Sequence, residues 1–319
     1  MSYTTQIKNE ISKLYNTKSE MIAELSAFVR NNGNIVDNSI YLTTENEIIL
    51  NRLVEFITAL YDIHPKTDSK DNLNFSKNRL NVLVINEKVD FILQDLGYYD
   101  SNNKYLLTPP TYIVGANEEI RAYLRGVFLC QGSINDPKTS QYHMELLIDK
   151  PQEAVFIQKL LNIFDLNAKI LNRYNGYMIY IKEAEKISDY LKILKANQAV
   201  LYFENVRIYH QEKNKANRLN NCEQANIDKV IQTANEQLKH IEIIEENMGT
   251  DLLDDKTKEA LYYRKKYPEA SLKELSEIIS LETNKPITKS GLNHRFRKIK
   301  ELAMKWSSKN RHFIKRTFF

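Results

Sequence analysis

Two eleven-residue stretches, Ala23 to Gly33 (AELSAFVRNNG) and Ala122 to Gly132 (AYLRGVFLCQG), place a side-chain amide directly before a glycine: Asn32 in the first, Gln131 in the second. What such paired positions can do depends on their charge. Two carboxylates there would suit Mg²⁺, which prefers hard oxygen ligands, activates water and stabilises a phosphoryl transition state. Asn32 and Gln131 offer neutral amide oxygens, which removes most of the attraction for a divalent cation. Glu24 and Asp136 are nearby acids, but they are not at equivalent positions in the two copies, so they do not make a substitute symmetric site. The expectation is no catalytic residue, no metal and no cofactor. Each stretch read alone is also an ordinary helix C-terminus, where glycine is a common stop.

A second set of chemically capable residues lies near the C-terminus. Leu292, Phe296 and Ile299 are spaced as the inward stripe of a helix starting near Lys289, with Thr288 and Ser290 as possible caps. Asn293, Arg297 and Lys300 then fall on the outward side, flanked by Ser290, His294, Arg295 and Lys298. Arg and Asn pair with base edges in the major groove, while Lys and a helix N-terminus suit phosphate. An ordinary solvated helix face would look similar, but the charge argues otherwise. Lys289 to Phe319 hold ten Lys or Arg against one acid, Glu301, a net of +9, so the other 288 residues carry about −5. Ser271 to Glu274 form a capping-box pattern for a preceding helix, and Asp255 to Tyr263 a supporting one, which together make a helix-turn-helix. Trp306, Phe313, Phe318 and Phe319 interleave with the basic tail; Trp306 is expected to pack back on the domain.

The elements that position these groups are repeated. In the second stretch Ala122, Gly126 and Cys130 recur every four residues, and Ala23 and Ala27 take the matching places at an offset of 99. A mid-helix glycine costs up to ~1 kcal/mol against alanine, which close helix approach would offset. A helix over about 5–14 precedes the first stretch. After it come alternation over 35–42, a helix over about 45–60, a strand at 80–85 and a helix at 87–96. After the second come a strand at 143–148, a helix at 153–164, a strand at 177–181 and a helix at 183–194. Tyr-Asp-Ile at 61–63 answers Phe-Asp-Leu at 164–166. A period near 100 residues fits two halves of one pseudo-symmetric domain, joined near Pro109 and Pro110.

Hydrophobic residues at 42% and charged residues at 27% are ordinary globular values. No stretch approaches a transmembrane span or a secretory signal. Cys130 and Cys222 have no Cys or His nearby at metal-ligand spacing and read as buried thiols. A cytoplasmic, nucleoid-associated protein is expected.

Four segments carry a resemblance that covers nearly the whole chain: AELSAFVRNNGNI at 23–35, RAYLRGVFLCQGSINDP at 121–137, FENVRIYHQEKNKANRLNNCEQANIDK at 203–229 and ITKSGLNHRFRKIKELA at 287–303. The chain resembles the WhiA family of bacterial regulators. The resemblance implies a degenerate LAGLIDADG homing-endonuclease fold without nuclease activity, in which the position before each glycine is normally an Asp, and a C-terminal helix-turn-helix similar to region 4 of sigma factors. It also implies sequence-specific DNA binding, transcriptional control, and links to cell division, chromosome segregation and sporulation. The family's Asn-rich pattern falls on Asn214, Asn217, Arg218, Asn221, Cys222, Glu223, Ala225 and Asn226, with Asn220 an extra polar residue inside it. Arg218 and these amides either touch phosphate, brace the segment between domains, or form a hydrogen-bonded capping network.

The expected fold is α+β: a duplicated LAGLIDADG-like domain over 1–200 (halves about 1–108 and 111–200) with saddle-shaped antiparallel sheets, a helical linker over 201–247, and an all-α helix-turn-helix domain with a basic tail over 248–319. The expected DNA-binding set is Ser290, Asn293, His294, Arg295, Arg297, Lys298, Lys300 and Arg218. The chain is read as a non-enzyme. Its partners are double-stranded DNA and, beyond it, RNA polymerase or another transcription regulator, with no membrane and no small-molecule substrate. Two other readings stand beside this one: a homing-type endonuclease with a displaced metal site, and a division scaffold that DNA merely localises.

Overall fold

The computed structural model describes residues 1–71, 79–139 and 141–316, with side chains described outside 70–79 and up to residue 307. It resolves into two units, Met1–Gln211 and Glu212–Phe319. The first opens with helix α1 (Tyr3–Ile11), whose Tyr3, Ile7 and Ile11 are buried. One series of elements then occurs twice. The first copy is α2 (Lys18–Asn32), β1 (Asn34–Val36), β2 (Ser39–Thr44), α3 (Glu47–Tyr61), β3 (Lys66–Asp71), β4 (Arg79–Ile85) and α4 (Val89–Asp95). The second is α5 (Asn117–Gln131), β5 (Gly132–Ile134), β6 (Met144–Ile148), α6 (Pro151–Ile163), β7 (Lys169–Arg173), β8 (Gly176–Ile181) and α7 (Ala184–Ile193).

Each copy forms a four-stranded antiparallel sheet, ordered β1-β2-β4-β3 and β5-β6-β8-β7. The pleat sends alternate residues inward. Ile40 opposite Ile85, and Leu42 opposite Leu83, are buried beneath the first sheet; Leu146 opposite Ile179, and Met144 opposite Ile181, do the same in the second. The repeated Asp is explained by geometry: Asp62 and Asp165 both sit at positive φ, 53° and 55°, just beyond α3 and α6, where Asp tolerates the left-handed turn better than most residues.

The sequence predicts the inner strands and misses β5, which at three residues is too short to show a period, and the longer β3 and β7. These last two are sheet edges, paired on one side only; KTDSKD is wholly polar, and KILNR sets Ile170 and Leu171 side by side instead of alternating. A solvated edge has no need of apolar alternation, so the period-two signal is absent.

Helix α8 (Asn197–Asn247) contributes to both units. In the first, Ala199 and Phe203 are buried, and Glu10 accepts from the Gln198 and Ala199 amides at 2.7 and 3.1 Å, capping the helix. In the second, Ala234, Gln237, Ile241 and Ile244 are buried. The expected boundary at residue 200 and linker over 201–247 therefore lie in one continuous helix, and the division falls inside it at Gln211 and Glu212.

The second unit continues with α9 (Asp255–Lys266), α10 (Leu272–Thr283) and α11 (Lys289–Arg316). The capping box forms at the head of α10: Ser271 Oγ accepts from the Glu274 amide at 3.2 Å, and the Ser271 amide donates to Glu274 Oε2 at 2.8 Å. Thr288 Oγ1 accepts from the Gly291 amide at 3.1 Å and starts α11. Leu292, Phe296, Ile299 and Ala303 pack with Leu275, Ile279, Ala260 and Leu261 as the core. Trp306 is half-buried; the Phe313 side chain and residues Phe318 and Phe319 lie outside the described residues.

Candidate nucleic-acid interface

The two motif helices meet along their small faces. A Cβ added to Gly126 would stand 2.3 Å from the Glu24 carbonyl oxygen and 2.9 Å from the Ala27 Cβ, so only glycine lets α5 come this close to α2. Neither Gly33 nor Gly132 is left-handed (φ −72° and −89°). They are needed for space: a Cβ would fall 2.4 Å from the Val29 carbonyl oxygen in one and 2.1 Å from the Phe128 ring in the other.

The amides at the helix ends are engaged in holding the backbone. Asn32 Oδ1 accepts from the Thr43 amide at 2.8 Å, and its Nδ2 donates to Thr43 Oγ1 at 3.3 Å, fastening the end of α2 to β2. Gln131 Nε2 donates to the Asn31 carbonyl at 2.9 Å, so the end of α5 satisfies an orphan carbonyl of α2. The acids weighed for a displaced metal site are engaged too. Glu24, 2% exposed, accepts from Arg52 Nε and Nη2 at 2.6 and 3.0 Å, Arg125 Nε at 2.8 Å and Asn16 Nδ2 at 2.9 Å. Burial pushes its carboxyl up, but the two guanidiniums outweigh this and hold it below the usual range. Asp136 accepts from the Tyr202 hydroxyl at 3.0 Å and closes a turn onto the Lys138 amide at 2.9 Å. Among the described residues no three of His, Cys, Asp and Glu gather as metal ligands would. Cys130 is half-buried at the helix interface, its thiol pushed up to about 12 by burial, whereas Cys222 is exposed on α8, unlike the buried thiol expected there.

The solvent side of the second sheet mixes apolar and cationic side chains, with Lys169 and Arg173 two residues either side of Leu171 on β7. Leu147, Met178 and Leu171 are register partners across β6, β8 and β7, with Leu147 and Leu171 half-exposed. Residues 1–211 carry 23 Lys and Arg against 25 Asp and Glu, a net of −2; residues 212–319 carry 22 against 16, a net of +6. Cationic character is concentrated in the second unit.

There the structure sorts the expected residues into three groups. Ser290 and His294 are exposed on the side of α11 away from its core. Asn293, Arg297 and Lys300 are exposed on the flank beside α8 and line a cleft with Glu236 and His240. The His240 imidazole is held below its ordinary value by burial and by Lys300, with Glu236 opposing. Arg295 and Lys298 are paired with residues of α9, Arg295 largely covered and Lys298 about half exposed. Arg295 Nη1 donates to Glu259 Oε2 at 2.6 Å and to the Lys256 carbonyl at 3.1 Å, and Lys298 pairs with Asp254, the N-cap of α9. These two ion pairs join α11 to α9 beside the apolar contacts that pack the two helices.

Arg218 lies in mid-helix on α8, exposed, with Asn214, Asn217, Asn220 and Asn221 around it. No hydrogen bond joins these five side chains to the described residues, so they do not form the capping network weighed for them. The missed signal is the flank formed by α8: a helix packed beside α11 cannot be read from the period of α11 alone.

A duplicated half paired through its motif helices, with amides where metal-binding carboxylates would stand, followed by a helix-turn-helix unit, defines a degenerate LAGLIDADG-like protein with an added nucleic-acid-binding type of domain. Three family models match in succession: the WhiA N-terminal LAGLIDADG-like domain at residues 6–99, the WhiA LAGLIDADG-like domain at 120–213, and the WhiA C-terminal HTH domain at 216–303. The chain is 37% identical over 310 residues to the "Probable cell division protein WhiA" of Exiguobacterium sibiricum, spanning 96% of each, and 38% identical over 315 residues to that of Lactobacillus gasseri, spanning 97% of this chain and 100% of the relative. The chain belongs to the WhiA family. Its fold is also similar to the crystal structure of "full-length DUF199/WhiA from Thermatoga maritima", with a TM-score of 0.57 at 21% identity, covering 96% of this chain and 98% of that one.

Proposed function

We propose that this chain is a non-catalytic, sequence-selective DNA-binding regulator acting in cell division, with α11 as the helix that enters the major groove. The observation that carries this reading is the presentation of α11. Its apolar stripe is buried, Arg295 and Lys298 are held by Glu259 and Asp254, and Ser290, Asn293, His294, Arg297 and Lys300 are left exposed with donors suited to base edges and phosphate. The relatives' printed name as probable cell division proteins supports the same reading. The engagement of Asn32, Gln131, Glu24 and Asp136 in backbone and ion-pair bonds argues for a frame kept for its shape, and against an endonuclease that uses those acids.

Binding of the full chain to genomic fragments across a salt series tests this. Selective, salt-sensitive binding without cleavage in Mg²⁺ or Mn²⁺ is expected. Affinity indifferent to both sequence and salt would refute it, and cleavage lost in Glu24→Gln or Asp136→Asn would restore the nuclease reading.

A further inference from the structure

The exposed middle of α8 is built in a way that its own fold does not require. From Glu212 to Lys229 every residue is exposed, a length of roughly 27 Å at 1.5 Å per residue. Asn is among the poorer helix formers, because its amide competes for backbone hydrogen bonds, yet Asn214, Asn217, Asn220 and Asn221 stand here with no intrachain partner among the described residues. A helix needing only to span this distance would do better with alanine or lysine.

The side chains are also sorted by face. Asn214, Asn217, Arg218, Asn221 and Ala225 recur at intervals of three and four and share one side. Glu212, Ala216, Leu219 and Glu223 recur the same way on the opposite side, so two of the segment's three acids point away from Arg218. The third, Asp228, is bonded to Gln224 Nε2 at 2.9 Å. Following Arg218 along its own side, at steps of seven and four, leads to Ala225, Lys229, Glu236 and His240. The last two line the cleft with Asn293, Arg297 and Lys300 of α11, and Lys229 lines another with Lys273 and Lys289 at the heads of α10 and α11. The amide-and-arginine face is thus continuous with the flank of the proposed recognition helix.

We propose that the Asn214, Asn217, Arg218 and Asn221 face of α8 is a second DNA-contacting surface, which engages the same duplex as α11. It rests on the reading of α11 as a DNA-facing helix. Side-chain amides and a guanidinium pair with adenine and guanine edges or with phosphate oxygens, and these four have no internal hydrogen bond to give up among the described residues.

The probe is duplex DNA enriched by the full chain from a random-sequence pool about four helical turns long. It is bound to the full chain, to Arg218→Ala, to the triple variant Asn214→Ala/Asn217→Ala/Asn221→Ala, and to Arg297→Ala. Alanine raises helix propensity at each exposed Asn, so the triple variant keeps α8. Both α8 variants are expected to bind about tenfold or more weakly and to lose hydroxyl-radical protection on one side of the footprint, while Arg297→Ala loses a different part. Parent-like affinity and footprint in both α8 variants, with Arg297→Ala weakened, would overturn the proposal and leave α11 standing. Weakened α8 variants with parent-like Arg297→Ala would support this surface and remove the reading of α11. Unchanged DNA binding with loss of a protein partner in the α8 variants would make the face a protein surface and overturn the proposal.

Discussion

Gln131 donates its side-chain amide to the backbone carbonyl of Asn31 at 2.9 Å, so the residue that ends one motif helix caps the other. A carboxylate at 131 could not make this bond, since it has no hydrogen to give. Asn32 differs: its oxygen already accepts from the Thr43 amide, a role an Asp would keep. The double variant Asn32→Asp/Gln131→Asp is therefore expected to lose about 1 kcal/mol from the missing cap and to gain a stabilisation by Mn²⁺ that the parent lacks. Thermal unfolding with and without Mn²⁺ checks this, and an equal shift in the parent would count against it.

Gly126→Ala is expected to destabilise the first unit. Alanine is the better helix former, but its Cβ would sit 2.3 Å from the Glu24 carbonyl oxygen, which belongs to backbone and cannot swing away. Overpacking of this kind costs about 1–3 kcal/mol net, read as a lower denaturation midpoint at an unchanged slope.

Acid should weaken the same helix pair. The Glu24 carboxyl is held below its unfolded value, so it contributes stability that is fully present above an unfolded value of about 4.3 and is lost as pH falls through the folded one. Glu24→Gln leaves Arg52 and Arg125 buried without a counter-charge and is expected to cost about 3–5 kcal/mol at neutral pH. It should also flatten the dependence on acid. Urea unfolding at a series of pH values measures both effects, and a variant as acid-sensitive as the parent would contradict the assignment.

Arg295→Ala should act through stability. Its guanidinium ties α11 to Glu259 and to the Lys256 carbonyl while remaining mostly covered, so its loss is expected to lower the stability of the second unit by about 1 kcal/mol and to weaken DNA binding alike on all sequences. A loss confined to one sequence would make Arg295 a base contact.

The duplication, the small-face pairing and the helix-turn-helix were legible because each rests on local period or on residue size. Gly126 announces close approach wherever it sits in mid-helix. The edge strands β3 and β7 were illegible, since KTDSKD has no apolar residue and KILNR has two side by side, and neither alternates. The partners of Arg295 and Lys298 were hidden for a different reason. Both residues look outward on the wheel of α11, and only the packing of α9 brings Glu259 and Asp254 within reach. The same holds for Asn293, Arg297 and Lys300, whose place beside α8 depends on a helix more than fifty residues earlier in the chain.

The central claim is that α11 reads sequence, and Arg297 is its most direct probe. Affinity of the parent and Arg297→Ala for an enriched duplex and for a scrambled one, measured across a salt series, separates base reading from charge. The expected result is a loss of about 1–3 kcal/mol on the enriched duplex, a smaller loss on the scrambled one, and a salt slope little changed. Equal losses on both duplexes, with the slope reduced by about one, would make Arg297 a phosphate contact and contradict the claim.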